Sequence, residues 1–189
     1  MKRFFILLFM LPALAGCTKK AAENNTPLPE LGISIQLPPG MEAVSAEDLR
    51  QTQAASAEFP VVEPFTDFPV GEFHDPATNA VLVISKLHFT GSADAALDPV
   101  SVMESYRTNM AAYYGVDAIA ASELIQGDFK LTIMPMVFEQ EAVLSLTKVL
   151  YYTYPQRYFV FDLYFDGNTI NPEKAQEFEK LFLSVKSLE

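Results

Sequence analysis

The sequence feature that most constrains the fold is a two-residue alternation of apolar and polar residues in the second half of the chain. It occurs in four consecutive segments, 118–126, 129–138, 143–154 and 157–166. This period is typical of β-strands with one buried face, and the short breaks between the segments are typical of antiparallel hairpins. The pattern therefore predicts a four-stranded meander. Pro135 has no N–H to donate, so we expect a bulge or an unpaired edge at its position.

Two more alternating segments, 31–37 and 79–89, predict strands in the N-terminal half. Residues 60–79 contain four prolines and Gly71, and they predict a long irregular connection, with a short extended piece as the alternative. Long connections inside compact domains often carry function, so this loop is a candidate for ligand binding.

Helix signals occur in three places, 45–59, 98–115 and 171–189. Each begins with a capping side chain, and in the last two a proline occupies the first helical position, where its missing N–H costs nothing. The closing segment has a stripe of apolar residues at helical spacing that must dock on the sheet. The stripe consists of Phe178, Leu181, Phe182, Val185 and Leu188.

These elements predict a single α+β domain over residues 31–189, with helices packed on a mostly antiparallel sheet. The sheet comprises the C-terminal meander and the N-terminal strands. This length is ordinary for one domain.

The start of the chain has the layout of a signal peptide over residues 1–16. A basic pair, Lys2 and Arg3, precedes an apolar run over 4–14 that is too short to span a bilayer. The run ends in Leu14, Ala15, Gly16 and Cys17, which resembles the lipobox of bacterial lipoproteins. An ordinary cleaved leader followed by an unmodified thiol is the alternative.

The lipobox resemblance implies cleavage before Cys17 and attachment of two or three fatty acyl chains, such as palmitate, to that residue. The polar residues 17–30 then serve as anchor and tether, and the protein is held on a bilayer without spanning it. The expected location is the bacterial cell envelope. Thr18, rather than Asp, follows Cys17, which favours the periplasmic side of the outer membrane over the inner membrane.

The charge of the chain excludes one class of partner. It has 24 acidic and 13 basic residues, a net charge of −11. Removing Lys2 and Arg3 with the leader makes the balance 11 − 24, or −13. Such a surface repels nucleic acid, so we expect no nucleic-acid partner.

Few residues offer chemistry. The chain lacks the common hydrolase, zinc-protease, nucleotide-binding and dithiol motifs, and we expect no cofactor. Glu72, His74 and Asp75 cluster in the proline-rich loop and are weak candidates for metal ligands. A solvated loop with a stray histidine is the favoured interpretation.

Tyrosines are concentrated in the last two predicted strands. Tyr158 and Tyr164 lie on the face opposite the phenylalanines of the final strand. If exposed, they form a surface for a protein partner, since tyrosine provides large contact area at low entropy cost. The favoured interpretation is that the predicted helix over 98–115, the central helix, covers these tyrosines, because its apolar stripe needs a sheet face to pack against.

The opening "GISIQLPPGM", the antiparallel sheet and the closing "FEKLFLSVKSL" resemble the superfamily of PsbP, the extrinsic photosystem II subunit. DcrB-type bacterial lipoproteins and a Ran-binding nuclear import factor share that fold. The resemblance implies an α/β/α sandwich and a role in binding or assembly. Many members have Trp after the proline turn, where this chain has Met41.

The functional hypothesis is a non-enzymatic envelope lipoprotein that binds a protein partner or supports an assembly. The alternative is a lipoprotein that binds a small ligand or metal through the 60–79 loop, and a hydrolase comes third.

Overall fold

The computed structural model describes residues 25–58, 65–89, 99–115, 117–139, 143–153, 157–166 and 171–188. The predicted leader over 1–16 and the predicted lipobox lie outside these ranges. The strands in the described ranges are β1 (Asn25–Leu28), β2 (Ile33–Gln36), β3 (Glu42–Ala43), β4 (Phe65–Asp75), β5 (Ala80–Phe89), β6 (Ser122–Gln126), β7 (Phe129–Glu139), β8 (Val143–Thr153), β9 (Arg157–Asp166) and β10 (Lys186–Ser187). The helices are α1 (Ala46–Glu58), α2 (Pro99–Tyr113) and α3 (Pro172–Leu183).

A seven-stranded antiparallel sheet forms the middle of the molecule, in the order β3-β4-β5-β9-β8-β7-β6. A three-stranded sheet, β1-β2-β10, packs together with α3 on one face of it, and α2 packs on the other face. α1 packs beside β4, where the Gln53 amide donates to the Pro69 carbonyl at 2.9 Å. The predicted α+β class with a mostly antiparallel sheet is confirmed.

The predicted meander is also confirmed, as β6 to β9. Pro135 causes no bulge, because its pairing with Thr147 of β8 continues the register. The unpaired edge is present, since β6 reaches only as far along β7 as Ile133. Among the described residues, the stretch of β7 that contains Pro135 therefore pairs on one side only, where a missing N–H is tolerated.

The irregular connection predicted over 60–79 is wrong for most of its length. Phe65–Asp75 forms β4, which pairs with β5 as a hairpin. The register shifts between Pro69 and Gly71, so a bulge accommodates the proline within the strand. The loop that was a candidate for ligand binding is thus largely a strand.

Two predicted boundaries are also corrected. The tether assigned to residues 17–30 is too long at its C-terminal end, because Asn25–Leu28 pairs with β2 as β1. The closing helix ends at Leu183 rather than continuing to the end of the stripe. The last two residues of the apolar stripe lie beyond the helix in different environments. Val185 is buried, whereas Leu188, which follows the short strand β10, is 40% exposed. The Asn171 cap is confirmed, with its side chain accepting from the Lys174 N–H at 2.9 Å.

Candidate functional site

A lysine and an aspartate are paired inside the molecule, on the face of the large sheet that α2 covers. Lys148 of β8 lies directly opposite Asp162 of β9. The Lys148 Nζ is 2.6 Å from both carboxylate oxygens of Asp162, and the two side chains are 4% and 9% exposed. Both carboxylate oxygens are therefore occupied by one ammonium group, in a water-poor setting.

The surroundings of this pair are apolar and aromatic. Alternate residues of β8 and β9 place Leu150, Tyr158 and Val160 on the same face, where they contact Tyr106 and Met110 of α2. Burial alone would lower the pKa of Lys148, but the Asp162 carboxylate next to it raises that pKa well above its usual value. The lysine is therefore charged at physiological pH.

A second carboxylate, Asp67 of β4, belongs to the same cluster. Burial raises the pKa of Asp67 to about 6. The positive charge of Lys148 and a hydrogen bond with Tyr106 both lower this pKa, and the negative charge of Asp162 raises it. Burial also raises the pKa of the Tyr106 hydroxyl, which stays protonated. With both carboxylates ionised, one ammonium faces two negative charges.

The tyrosines predicted as a partner surface border this cluster. Tyr158 is 7% exposed and packs against α2, so its role as a contact surface is wrong and its coverage by the central helix is confirmed. Tyr164 is half-buried, and burial raises the pKa of its hydroxyl with Asp162 adding to the effect. The helix covers this face because its own buried residues, such as Val102 and Met110, require an apolar partner.

The charges of Lys148 and Asp162 pair with each other inside the molecule and are shielded from solvent. Lys148 and Asp162 satisfy each other, which removes the lysine as a nucleophile and the aspartate as a base. Breaking such a pair is costly, whereas its presence helps to fix one strand register over others. Asp67 is the group in the cluster that exchanges a proton near neutral pH. Its chemistry is that of a half-buried proton acceptor.

Of the three residues considered as metal ligands, the structure brings Glu72 and His74 together but not Asp75. The His74 Nε2 is 2.8 Å from Glu72 Oε1, and Thr52 of α1 also hydrogen bonds to Glu72. Asp75 instead pairs with Lys174 of α3 at 2.8 Å and accepts from the Ala77 N–H at 3.0 Å. In the part of the chain that the structure describes, no group of three His, Cys, Asp or Glu residues is placed to hold a metal ion.

The contact between Asp75 and Lys174 fixes the start of α3. The Lys174 ammonium also reaches the Pro39 carbonyl at 3.0 Å and Glu177 at 3.2 Å. It thus joins the turn before Met41 to the end of β4 and to the closing helix. This role is structural.

Sequence reasoning missed the buried pair although a signal was present. Asp162 falls on the same alternating face of β9 as Tyr158, Val160 and Tyr164, and an acidic residue between such neighbours indicates a paired charge. The partner could not be identified, because Lys148 meets Asp162 only once the register of β8 and β9 is known.

Comparison with solved structures agrees with this architecture, whereas comparison at the level of sequence finds no match. No protein-family model matches the chain, and no curated protein matches its sequence. The solution structure of cyanobacterial PsbP from Synechocystis sp. PCC 6803 is similar, with a TM-score of 0.53 and 13% identity, covering 92% of this chain and 98% of that one.

Two further structures are more distantly similar. One is a crystal structure from Bacteroides thetaiotaomicron VPI-5482, with a TM-score of 0.44 and 14% identity, covering 84% of this chain and 46% of that one. The other is LpqN of Mycobacterium tuberculosis, which is involved in cell envelope biogenesis, with a TM-score of 0.46 and 13% identity, covering 88% of this chain and 86% of that one.

The likeness to cyanobacterial PsbP establishes the fold. The chain is an α+β protein with a PsbP-like fold, as the resemblance in its sequence predicted. Within the described ranges, no helix has both the length and the apolar character needed to cross a membrane.

Proposed function

We propose that this chain is a lipid-anchored protein of the bacterial cell envelope that works by binding a protein partner rather than by catalysis. The observation that carries the proposal is the placement of Cys17, which ends the sequence Leu14-Ala15-Gly16-Cys17 and precedes the folded domain by a short stretch. Two or three acyl chains on Cys17 hold a protein on a bilayer, since each buried methylene contributes about 0.8 kcal/mol.

The corrected start of the domain makes the tether short. Only residues 18–24 separate Cys17 from Asn25, the first residue of β1. At about 3.3–3.6 Å per residue, the chain between them extends over at most about 30 Å. The domain is therefore held within roughly its own diameter of the lipid surface, where it meets proteins of the same membrane. Thr18 after the lipidated residue favours the outer membrane over the inner membrane.

The buried cluster supports binding over catalysis. Its two buried charged side chains, Lys148 and Asp162, pair with each other under α2 instead of lining a cleft. Catalytic acids and bases must reach a substrate within hydrogen-bond distance, which this packing prevents.

The anchor is tested by labelling cells that express the full chain with an alkyne analogue of palmitate. We expect label on the wild type and none on Cys17→Ser, which differs by one atom and cannot form the thioether. The wild type should sediment with membranes, and the variant should not. Equal labelling of both chains, or no labelling of either, would contradict the anchor.

The binding role is tested separately by crosslinking in native membranes. A lysine-reactive crosslinker should give one reproducible adduct between the wild type and a second protein. Cys17→Ser should lose most of that adduct, because the tether no longer concentrates the two proteins on one surface. Recovery of the uncrosslinked chain alone would count against partner binding.

A further inference from the structure

Among the residues that the structure describes, no strand pairs with the outer edge of β6. β6 is the last strand of the large sheet, and β7 pairs with its inner side. Four of its five residues are exposed, and Ile125 is 78% exposed although its side chain is apolar. An edge strand with an exposed isoleucine presents both unpaired backbone groups and apolar surface.

The turn between β6 and β7 shows which backbone groups point outward. Gly127 and Asp128 form a two-residue turn, and Gly127 has a φ of 57°, as the first position of a tight hairpin turn requires. Gln126 and Phe129, which flank the turn, form a hydrogen-bonded pair, and Leu124 repeats that pattern with Leu131. The N–H and C=O groups of Glu123 and Ile125 therefore point away from the sheet.

The other sheet edges in the described ranges are interrupted or short. β3 and β10 have two residues each, and β1 contains Pro27. β7 beyond the end of β6 carries Pro135 on its open side, and β4 bulges between Pro69 and Gly71. Short strands, prolines and bulges are the features by which proteins prevent unwanted strand pairing. β6 has five residues, no proline and no register shift.

We propose that β6 is a docking edge that binds an extended segment of a protein partner as an eighth strand of the sheet. This inference rests on the proposed function and names the surface that would perform it. The backbone groups of Glu123 and Ile125 supply hydrogen bonds to the incoming strand, and the Ile125 side chain contacts an apolar residue of that strand.

Charge identifies the kind of segment that fits. Glu123 is 55% exposed and is 3.2 Å from Lys130, a contact that leaves part of its carboxylate open to solvent. Asp128 in the adjacent turn is exposed, and the whole chain carries a net charge of −11. A partner strand of alternating basic and apolar residues complements this edge. A second copy of the chain does not, because two bodies of this charge repel each other.

The test uses the full chain in detergent micelles and a short fluorescein-labelled peptide of alternating valine and lysine. Fluorescence anisotropy should show saturable binding, and a matched peptide with glutamate in place of lysine should bind at least about tenfold more weakly. Ile125→Pro removes one outward N–H and leaves the inward hydrogen bonds in place. It should weaken binding by about tenfold or more.

Control variants separate the edge from general effects. Ile125→Thr keeps the N–H and the β-preference, so it should weaken binding less than Ile125→Pro. Glu123→Lys should reverse the preference between the two peptides. Glu47→Lys makes the same charge change on α1, which packs beside β4 at the far side of the sheet, and should leave binding unchanged. Circular dichroism establishes that each variant is folded.

Equal binding by wild type and Ile125→Pro, or no binding of the valine–lysine peptide, overturns the inference. Dimerisation of the wild type that Ile125→Pro abolishes also overturns it, because the occupant is then a second copy. These failures are distinct from failure of the proposed function. A chain that is lipidated on Cys17 and crosslinks to a partner equally well with Ile125→Pro keeps the function and loses only this docking edge.

Discussion

The two faces of the seven-stranded sheet differ in where they place their charges. On the face covered by α3 and the small sheet, the interior is apolar and aromatic, and an ion pair between buried Asp75 and half-buried Lys174 lies where β4 ends and α3 begins. On the face covered by α2, Lys148 and Asp162 lie in the middle of the sheet with Asp67 nearby. One face holds charge at an element boundary, and the other holds it under a helix.

This difference separates two ways of specifying a fold. The aromatic rings of the first face, such as Tyr151 stacked on Phe159 at 4.7 Å between centroids, contribute through burial and packing. On the second face, any register of β8 and β9 that leaves Lys148 or Asp162 buried without its partner costs free energy. The α3 face therefore mainly supplies stability, and the α2 face also selects the register of β8 against β9.

The largest effect should come from removing one member of the buried pair. Lys148→Met leaves the Asp162 carboxylate buried without its counter-charge, and we expect a loss of about 3–5 kcal/mol in the free energy of unfolding, measured by urea denaturation. Lys130→Met is the control, because its contact with Glu123 is at the surface; it should cost less than about 1 kcal/mol. The double variant Lys148→Met with Asp162→Leu should recover most of the loss. Equal costs for the two lysine variants would show that the faces do not differ as described.

The next effect depends on pH and arises from Asp67. Its pKa is about 6 in the folded chain against 3.8 in an exposed reference, so the folded state holds the proton more tightly between pH 4 and 6. The contribution of Asp67 to the free energy of unfolding therefore falls as pH rises through that window. The fall is about 1.4 kcal/mol per pH unit, up to about 3 kcal/mol in total. Asp67→Asn should be more stable than wild type at pH 7.5 and no more stable at pH 4. Asp128→Asn, at an exposed turn, is the control. A gain that is the same at both pH values would exclude a raised pKa as its cause.

The smallest effect tests the α3 face. The buried Tyr151 hydroxyl donates to the Phe182 carbonyl of α3 at 3.0 Å. Tyr151→Phe keeps the ring packing and removes this bond, so it should cost about 1 kcal/mol with no dependence on pH between 4 and 8. Tyr113→Phe, at a residue that is 45% exposed, should cost almost nothing. A loss for Tyr151→Phe as large as that for Lys148→Met would contradict the view that this face depends on packing.

The parts of the fold that the sequence predicts are those governed by local rules. The alternation over 118–166 and the breaks at Gly127 and Pro155 define the meander without any knowledge of tertiary contacts. The Asn171 cap and Pro172 define the start of α3 in the same way. Each of these signals depends on neighbours within a few residues.

The parts that it does not predict depend on distant partners. Four prolines between 60 and 79 argue against a strand, yet β4 forms because β5 supplies a pairing edge and a bulge accommodates Pro69. The helical spacing of Val185 and Leu188 continues beyond α3, but pairing with β2 extends the chain there as β10. The buried pair of Lys148 and Asp162 likewise required the register of two strands, which alternation alone leaves open.

The small sheet also constrains the order in which the protein can fold. Ile33 and Ser34 of β2 pair with Ser187 and Lys186 of β10, so a contact near the beginning of the domain waits for residues near its end. Contacts of such long sequence separation form late because the chain between them must first be ordered. A polypeptide that is still being synthesised lacks this closure. The domain becomes complete only after β10 has emerged from the ribosome, so its small sheet closes last.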